Sequence, residues 1–598
     1  MTKYVRWQAL LTLLGIILVA LLLFYISQGQ ASMATPVPTI TPSAETTTVQ
    51  TRGGTYIEGM AGYPQLINPL FSPFNDVDRD LCALIFEGLT TVDEHNQIAP
   101  ALAQRWERSE DGLSYTFYLR DDVYWQDGEP FTADDVVFTI KLLQSPDFPA
   151  LHPHAGLWRS VTVEKVGAHA VKFVLAVKYA PFLDFTTVGI VPEHILGDTP
   201  VSELVQHPFN YAPVGTGLFK VQELDPTSHI VLETNPYHPL WGKTMLDYVE
   251  FKFFDSDRHV LAAYESGKVM GVAHISTLDL ARARANPDLQ ILSARLSGYG
   301  LVFLNLQADD KPFLQDRRVR QALLYALDRR ALIDEALAGQ GVVIHSPIMP
   351  QSWAYNPETP RYEQDLGMAV TLLEQAGYKL PDPHKIALEK LDAQQAKIRD
   401  KNGQRLALTL LTDTEPSRVA LAQAVAAQWA EVGVQVDVRA VELSELVLNH
   451  LRPRQFDAVL LEWPSQLDPD PYPMWHETQI KGEGQNFSGF VNRDASEAIE
   501  VARQLTDRGE RKRLYDQFQD IFAQEVPAIL LYQPIYTYGV DKKVRNVQIA
   551  PLFDPSDRFR NIWQWSPLEK TVLLRDRNDQ VGDKLDRQGN LWYDSARQ

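Results

Sequence analysis

One stretch of the chain alternates between strand-like and helix-like patterns, and it sharply limits the available folds. Apolar residues alternate over 406–410 as in a half-buried strand, and helical spacing then extends over 416–432. The pattern continues as strand, helix and strand over 434–438, 443–451 and 457–463. This β-α-β-α-β order predicts parallel strands joined by right-handed crossovers. Ligands of such sheets bind beyond the carboxyl ends of the strands, which here points to the residues after Trp463.

Other helices have recognisable beginnings and ends. Thr132 is followed three residues later by Asp135, a variant of the capping box that predicts a helix start. Asp316 is expected to cap a helix that closes near Gly339. Cys82 lies in an apolar, helix-like stretch, where we expect it to be buried as a small hydrophobic residue.

The N-terminal segment, residues 1–34, predicts export. Lys3 and Arg6 precede an apolar run of 18 residues, 9–26, which contains no charged side chain. This length lies between the apolar core of a signal peptide, roughly 7–15 residues, and a membrane span of about 20. Small residues at Ser32 and Ala34 fit a signal-peptide cleavage site, whereas the length of the run favours an uncleaved transmembrane helix that serves as a membrane anchor. Both interpretations stay open.

The residues on either side of the central body are expected to be peripheral. Residues 35–51 are rich in threonine and proline and predict an extended linker. No cysteine stands at the end of the apolar run, so a lipid-modified N-terminal cysteine is excluded. Residues 571–598 form a highly charged C-terminal tail. Together with the apolar run, the linker describes a tethered extracytoplasmic protein.

Composition excludes several classes of function. The chain carries 56 Lys and Arg against 76 Asp and Glu, a net charge of −20, which argues against binding to nucleic acid. A single cysteine in 598 residues rules out a disulfide framework, a cysteine-based zinc cluster and an iron–sulfur site. Hydrophobic residues make up 45% of the chain, which is ample for a large core.

Motifs for catalysis or cofactor binding are mostly missing. Gly242-Lys243-Thr244 resembles the end of a phosphate-binding loop, but Tyr237 stands where its first glycine belongs. The sequence contains neither a His-Glu-x-x-His zinc motif nor a Gly-x-Ser-x-Gly nucleophile motif. His152 and His154 are better explained by a polar loop than by a metal site. We therefore expect no cofactor, no metal and no enzymatic activity.

Motifs of a different kind occur in a fixed order between Gly53 and Trp565. The strongest block runs from Ile85-Phe-Glu-Gly-Leu89 to Trp106 and continues through 111–117 and 119–121 to Trp125-Gln-Asp-Gly128. Further segments of the same set lie at 53–55, 66–70, 130–137, 213–217, 235–236, 316–323, 326–329 and 369–377. In this ordered set the chain resembles the extracytoplasmic solute-binding proteins of ABC importers, specifically the peptide/nickel-binding type of family 5.

The resemblance implies an α/β fold, a two-lobed periplasmic-binding-protein-like clamshell of type II with an inserted subdomain in lobe one. Lobe one would comprise 52–302 with a return over 531–570, and lobe two would comprise 303–530. Crossing strands near 302–306 and 529–532 would form the hinge. This agrees with the β-α-β-α-β pattern, which falls wholly within lobe two.

The resemblance also implies the function. Such proteins capture peptides by hinge closure and deliver them to the transmembrane subunits of an ABC permease. We accordingly expect a monomer that binds a small solute, contacts the permease and touches the membrane through its N-terminal segment. The expected location is the periplasm or the outer face of the cell membrane.

The expected ligand cleft departs from the family pattern at one position. In peptide-binding relatives, an aspartate three residues after a cleft tryptophan pairs with the α-ammonium group of the peptide. Here the tryptophan is Trp463, and Gln466 occupies the aspartate position. Asp468 and Asp470 are candidates to supply the charge from a shifted register. A rigid proline-rich turn with two solvated aspartates remains an equal alternative.

Four aromatic residues are also candidates for the ligand site. Trp463 and Trp475 are each suited to stacking on a peptide or a sugar ring, or equally to a place in the core. By analogy with the relatives, Tyr63, in the first loop of the body, and Tyr532, near the returning hinge strand, face the ligand.

Two alternatives to a peptide receptor stay open. Gln466 makes a receptor for an oligosaccharide or a metal chelate more plausible, because it removes a carboxylate from the expected ammonium site. A surface hydrolase is the alternative from another class, since a chain with 76 carboxylates contains catalytic-looking pairs by chance.

Overall fold

The structure, a computed structural model, describes residues 46–148, 155–482 and 484–573. The N-terminal apolar run, the predicted cleavage site, His152, His154 and the tail beyond residue 573 lie outside these residues. Among the helices that the structure does describe, none combines the length and the apolar character needed to cross a membrane.

The strands are numbered here in chain order. Their bounds are β1 Thr46–Gln50, β2 Thr55–Ala61, β3 Thr90–Val92, β4 Ile98–Pro100, β5 Ala103–Arg108, β6 Ser114–Leu119, β7 Val161–Gly167, β8 Ala170–Leu175, β9 Phe219–Asp225, β10 His229–Thr234, β11 Tyr248–Phe254, β12 Gly271–Val272, β13 Leu289–Arg295, β14 Gly298–Leu304, β15 Gly341–Val343, β16 Asp400–Lys401, β17 Gln404–Arg405, β18 Ala407–Thr412, β19 Gln435–Ala440, β20 Ala458–Pro464, β21 Ala528–Asp541 and β22 Glu569–Leu573. The strands β1 and β22 form a two-stranded antiparallel sheet of their own.

The α-helices are numbered in the same way. Their bounds are α1 Asp76–Ile85, α2 Ala133–Gln144, α3 Ala155–Trp158, α4 Glu193–Leu196, α5 Asp257–Glu265, α6 Leu280–Arg284, α7 Arg317–Tyr325, α8 Arg329–Ala336, α9 Leu366–Gln375, α10 Pro383–Glu389, α11 Pro416–Glu431, α12 Leu443–Glu445, α13 Tyr472–Trp475, α14 Arg493–Ala502 and α15 Arg508–Glu525. A π-helical turn, Leu446–Leu451, continues α12.

A sheet of 12 strands organises the part of the chain from 51 to 568. Its strand order is β19-β18-β20-β14-β21-β12-β2-β11-β10-β9, and β13 and β15 pair with other stretches of β21. The strand β2 runs parallel to β11 and β12, and β18 runs parallel to β19 and β20. A separate antiparallel sheet has the order β5-β6-β8-β7.

The predicted β-α-β-α-β unit is confirmed. It comprises β18, α11, β19, the α12 turn with its π-helical continuation, and β20. The strand β14 beside it is buried at every residue, as expected for a strand covered on both faces. Val302 and Leu304 enter one hydrophobic core with α11, and Leu301 and Phe303 enter another with α15.

One helix prediction needs correction. The helix expected from Asp316 to Gly339 is interrupted after Tyr325, and α8 begins at Arg329. Asp316 caps the first helix as predicted, with its carboxylate accepting a hydrogen bond from the Arg318 N–H at 3.0 Å. The break occurs because Asp328 acts as a second cap, accepting from the Ala331 N–H at 2.9 Å.

Two other local predictions are confirmed. Thr132 and Asp135 form the reciprocal capping box at the start of α2. Cys82 is buried on α1, within the large hydrophobic core that also contains β2 and β11.

The fold is α/β with two lobes that share β21. The first lobe is built on β2, β9–β12 and the four-stranded sheet, and the second lobe is built on β14 and β18–β20. The two segments expected at the hinge pair with each other, with Val302 opposite Ile529. Next to them, Tyr532 lies against Gly300, where an added Cβ would be 2.1 Å from its ring.

A buried ion-pair network fastens the first lobe around Arg558. The guanidinium contacts Glu58 of β2 at 2.7 Å and Asp80 of α1 at 2.6 Å. Tyr538 of β21 donates to the same Glu58 carboxylate at 2.7 Å. The Arg558 side chain is 1% exposed, so both carboxylates depend on it for neutralisation.

We predict that Arg558→Met strongly destabilises the protein. Removing the guanidinium leaves Glu58 and Asp80 buried without a counter-charge, which typically costs about 3–5 kcal/mol. Urea unfolding, followed by circular dichroism, measures the expected fall in the free energy of unfolding.

Arg439→Met is the matched control. Arg439 pairs with Asp437 at 2.7 Å, but both side chains are more than half exposed, so its removal should change stability little. Equal losses in the two variants would contradict the assignment of a central role to Arg558.

Candidate ligand-binding cleft

A cavity of about 320 Å³ lies beyond the carboxyl end of β20. It is hereafter called the cavity and is lined by residues 94–97, Ser297, Tyr299, 347–349, 351–353, 465–471, Pro551 and Phe553. The first lobe supplies the β3–β4 turn and the 551–553 segment, and the second lobe supplies the loop after β20. The position follows the rule that open α/β sheets bind ligands outside the carboxyl ends of their strands.

Asp468 lines the cavity and is held in a two-pronged ion pair. Its two carboxylate oxygens accept hydrogen bonds from Arg511 at 2.5 and 2.9 Å. Arg511 also donates to the Tyr515 hydroxyl at 2.8 Å, and its guanidinium lies 5.0 Å from the centre of the Trp353 ring. Because both side chains are about nine-tenths buried, this pair is a fixed part of the cavity wall.

Asp470 is also paired with an arginine, but through a single ion-pair contact in which its Oδ2 accepts no hydrogen bond. Its carboxylate is fully buried and lies 3.1 Å from Arg503, and it accepts a hydrogen bond from the Tyr472 N–H at 3.1 Å. Arg503 in turn covers the Tyr472 ring at 3.8 Å. Burial raises the pKa of Asp470 to about 6; Asp468 adds to the rise and Arg503 opposes it.

Contacts between the lobes surround this pair of aspartates. Asp184, from the first lobe, accepts a hydrogen bond from the Asp468 N–H. The Ala180 N–H donates to the Arg503 carbonyl at 2.8 Å, which is a second contact between the two lobes. Burial and the Asp468 charge raise the pKa of Asp184 well above its ordinary value. The structure therefore holds the two lobes together at the edge of the cavity.

Gln466 and Trp463 lie on either side of the end of β20. Gln466 lines the cavity and offers a neutral amide. Trp463 is half-buried and packs edge-to-face on Phe303 and Phe487, with ring centres 6.1 and 5.2 Å apart. Trp463 does not line the cavity.

The other aromatic candidates lie elsewhere. Trp475 is 1% exposed and packs in the second-lobe core against Phe522, with ring centres 4.8 Å apart. Tyr532 is also buried, and its hydroxyl donates to Glu462 at 2.7 Å. Tyr63 is 38% exposed and donates to Asp255 at 2.7 Å. The structure thus brings Gln466, Asp468 and Asp470 together in the cavity wall, whereas none of the four aromatic candidates, Tyr63, Trp463, Trp475 and Tyr532, lines the cavity.

Tyr63 belongs to a second polar group at the carboxyl ends of β2, β11 and β12. His274 contacts Asp257 at 2.7 Å in this group. Partial burial of the imidazole opposes protonation, but Asp257, with Glu462 and Asp76 beyond it, raises the pKa of His274. Glu462, at the end of β20, also accepts the hydrogen bond of the Tyr532 hydroxyl.

Sequence reasoning missed the basic partners Arg503 and Arg511. Arg503 directly follows α14 and Arg511 lies on α15; neither helix pattern indicates a distant carboxylate, and Arg511 is 43 positions from Asp468. Within the described residues, no group of three or more His, Cys, Asp or Glu side chains is arranged to hold a metal ion.

Comparison with protein families identifies one matching model. The family described as "Bacterial extracellular solute-binding proteins, family 5 Middle" matches residues 97–485, which is more than half of the chain. The oligopeptide-binding protein AppA of Bacillus subtilis is 29% identical over 522 residues, covering 86% of this chain and 92% of AppA.

Solved structures are similar over the same extent. AppA from Bacillus subtilis, in complex with a nonapeptide, superposes with a TM-score of 0.70 at 28% identity, covering 87% of this chain and 99% of AppA. NikZ from Campylobacter jejuni, in complex with Ni(L-His), gives a TM-score of 0.71 at 26% identity, covering 86% of this chain and 99% of NikZ.

We predict that Asp470→Asn changes how stability depends on pH. The folded pKa of about 6 lies above the ordinary value of 3.8, so the folded chain binds this proton more tightly than the unfolded chain. The corresponding stabilisation is complete below about pH 4 and is lost as pH rises through 6. Wild type should therefore lose stability relative to the variant between pH 4 and 7, measured by urea unfolding at several pH values.

Asp437→Asn controls for the loss of a charge as such. Its carboxylate is more than half exposed and stays in contact with solvent after folding. The difference between wild type and this control should stay nearly constant with pH. A constant difference for Asp470→Asn as well, or one of opposite slope, would refute the prediction.

Proposed function

We propose that this chain, which belongs to family 5 of the bacterial extracellular solute-binding proteins, captures peptides for the permease of an ABC importer. The observation that carries the proposal is the cavity between the lobes, at the carboxyl ends of parallel strands. The similarity to AppA, which is solved with a nonapeptide, supports a peptide as the ligand.

Capture would take place by closure of the lobes about the hinge. In support, β14 and β21 connect the lobes, while Ala180 and Asp184 contact the opposite lobe beside the cavity. We propose that lobe one comprises 52–302 with 531–570 and that lobe two comprises 303–530. The four-stranded sheet, within 103–175, would belong to the inserted subdomain of lobe one.

The chain would act as a receptor without catalysis, at the outer face of the membrane. Its family consists of solute-binding proteins, which supports a role in delivery instead of turnover. The apolar run 9–26, flanked by Lys3 and Arg6, supports a tether to the membrane. Delivery would then occur to a permease in the same membrane.

A metal chelate is the second candidate ligand. The similarity to NikZ, solved with Ni(L-His), favours it. Such a ligand brings its own donor atoms, so it does not require a cluster of metal-binding side chains in the cavity wall. It is therefore a separate arm of the same binding experiment.

We predict that the purified protein binds peptides and releases them chemically unchanged. Isothermal titration with a mixed peptide library measures binding, and mass spectrometry of the recovered ligand tests for turnover. The matched arm uses Ni(L-His) in place of the library. Binding of the chelate alone would favour the second candidate, and hydrolysed peptide would favour a surface hydrolase.

We predict further that Ser465→Trp abolishes most of this binding. Ser465 lines the cavity, and an indole there would occupy space that the ligand needs, lowering affinity roughly 10-fold or more. Ser444→Trp, on the exposed face of α12, is the matched control and should bind as wild type does. Equal affinity in wild type and Ser465→Trp would place the ligand outside the cavity.

A further inference from the structure

The charged groups in the cavity wall are already matched with each other. Three carboxylates line the cavity: Glu94, Asp468 and Asp470. Both oxygens of Asp468 are engaged by Arg511, and Asp470 is paired with Arg503 at 3.1 Å. Glu94 is 74% exposed at the rim, where solvent screens its charge.

The two arginines, Arg503 and Arg511, are likewise held by contacts within the protein. Arg511 holds Asp468 and the Tyr515 hydroxyl, and Arg503 is sandwiched against the rings of Tyr472 and Tyr179 at 3.8 and 4.9 Å. Neither guanidinium is itself a lining residue of the cavity. A ligand carboxylate would therefore have no available buried cation among the lining residues, just as a ligand ammonium would have no available buried carboxylate.

The rest of the lining is uncharged, apart from the exposed His95 at the rim. Neutral polar groups come from one asparagine, three glutamines and three serines, namely Asn96, Gln97, Gln351, Gln466, Ser297, Ser352 and Ser465. Apolar surface comes from prolines and larger side chains, including Met349, Trp353, Leu467 and Phe553. This combination matches the amide groups and apolar side chains of a peptide, but not its charged ends.

We propose that the cavity takes peptides whose bound end is uncharged, because the terminus is blocked by an acyl or an amide group. This proposal rests on the proposed function and specifies its substrate class. At about 320 Å³ the cavity is at the small end of ligand pockets, so it holds one end of a peptide or a short peptide.

The physical reason is the cost of burying an unpaired charge. A free α-ammonium or α-carboxylate loses its hydration in the cavity and gains no opposite charge there, so burial disfavours it. An acetylated or amidated end keeps its hydrogen-bonding groups, which the Gln466 amide and the serine hydroxyls match. Asp184, from the first lobe, accepts a hydrogen bond from the Asp468 N–H and covers this part of the cavity wall.

The test compares four peptides of one apolar sequence by isothermal titration. They carry a free or acetylated amino end combined with a free or amidated carboxyl end. We expect the doubly blocked peptide to bind wild type at least about 10-fold more tightly than the zwitterion, since charge-assisted pairing is missing. The two singly blocked peptides identify which end enters the cavity.

Gln466→Asp provides the second measurement, with Gln466→Asn as its neutral control. A carboxylate at position 466 adds a negative charge with no arginine assigned to it, so affinity for peptides with a free amino end should rise relative to acetylated ones. The Asn variant should keep the wild-type preference.

The outcomes separate this proposal from the function on which it rests. Tightest binding of the zwitterion by wild type overturns the uncharged-end proposal and leaves the peptide receptor intact. An unchanged preference in Gln466→Asp, in a protein that binds peptides, also counts against it. Failure of all four peptides to bind to folded protein overturns the proposed function and this inference together.

Discussion

A single strand of 14 residues, β21, carries the chain through both lobes. Its beginning pairs with β14 of the second lobe, its middle pairs with β15, and its end pairs with β12 and β13 of the first lobe. Backbone hydrogen bonds on both edges fix the position and direction of a strand. The two halves of the central sheet are therefore joined through the pairing of β21 with strands of both lobes.

Where β14, β15 and β21 meet, two glycines pack against a tyrosine. Tyr532 lies across Gly300 and Gly341, and its hydroxyl reaches Glu462 at the end of β20. Any side chain at Gly300 would overlap the Tyr532 ring. Tyr532 thereby contacts the end of β20, and the first loop residue that lines the cavity, Ser465, lies three positions after Glu462.

Electrostatics within the cavity wall follow from the same arrangement. The loop after β20 carries two aspartates into a buried place, and buried carboxylates require counter-charges. The counter-charges come from Arg503, the residue after α14, and from Arg511 of α15. The acidic character of the sequence motif is consequently cancelled in the folded protein, and the net charge of −20 gives no guide to the charge of the cavity.

The sequence predicts the local structure well and the site only partly. The order β18-α11-β19-α12-β20 is readable because alternation and helical spacing are properties of neighbouring residues. The break between α7 and α8 is missed because Asp328 competes as a second helix cap within an otherwise continuous pattern. Gln466, Asp468 and Asp470 are found through the loop after β20. Arg511 and Asp184 are not found from the sequence, because they are separated from Asp468 by 43 and 284 positions. Only the tertiary fold brings them together.

Cys82 is the single cysteine of the chain, and it is buried at 5% exposure in the core of the first lobe. Its burial raises the pKa of the thiol well above the ordinary value, which suppresses the reactive thiolate form. The native protein consequently presents no readily alkylated sulfur to a maleimide reagent. Cysteines introduced in pairs on the outer surfaces of the two lobes would be modified selectively, without first removing a native residue. The protein is thus naturally suited to fluorophore pairs that report the opening and closing of its lobes in single molecules.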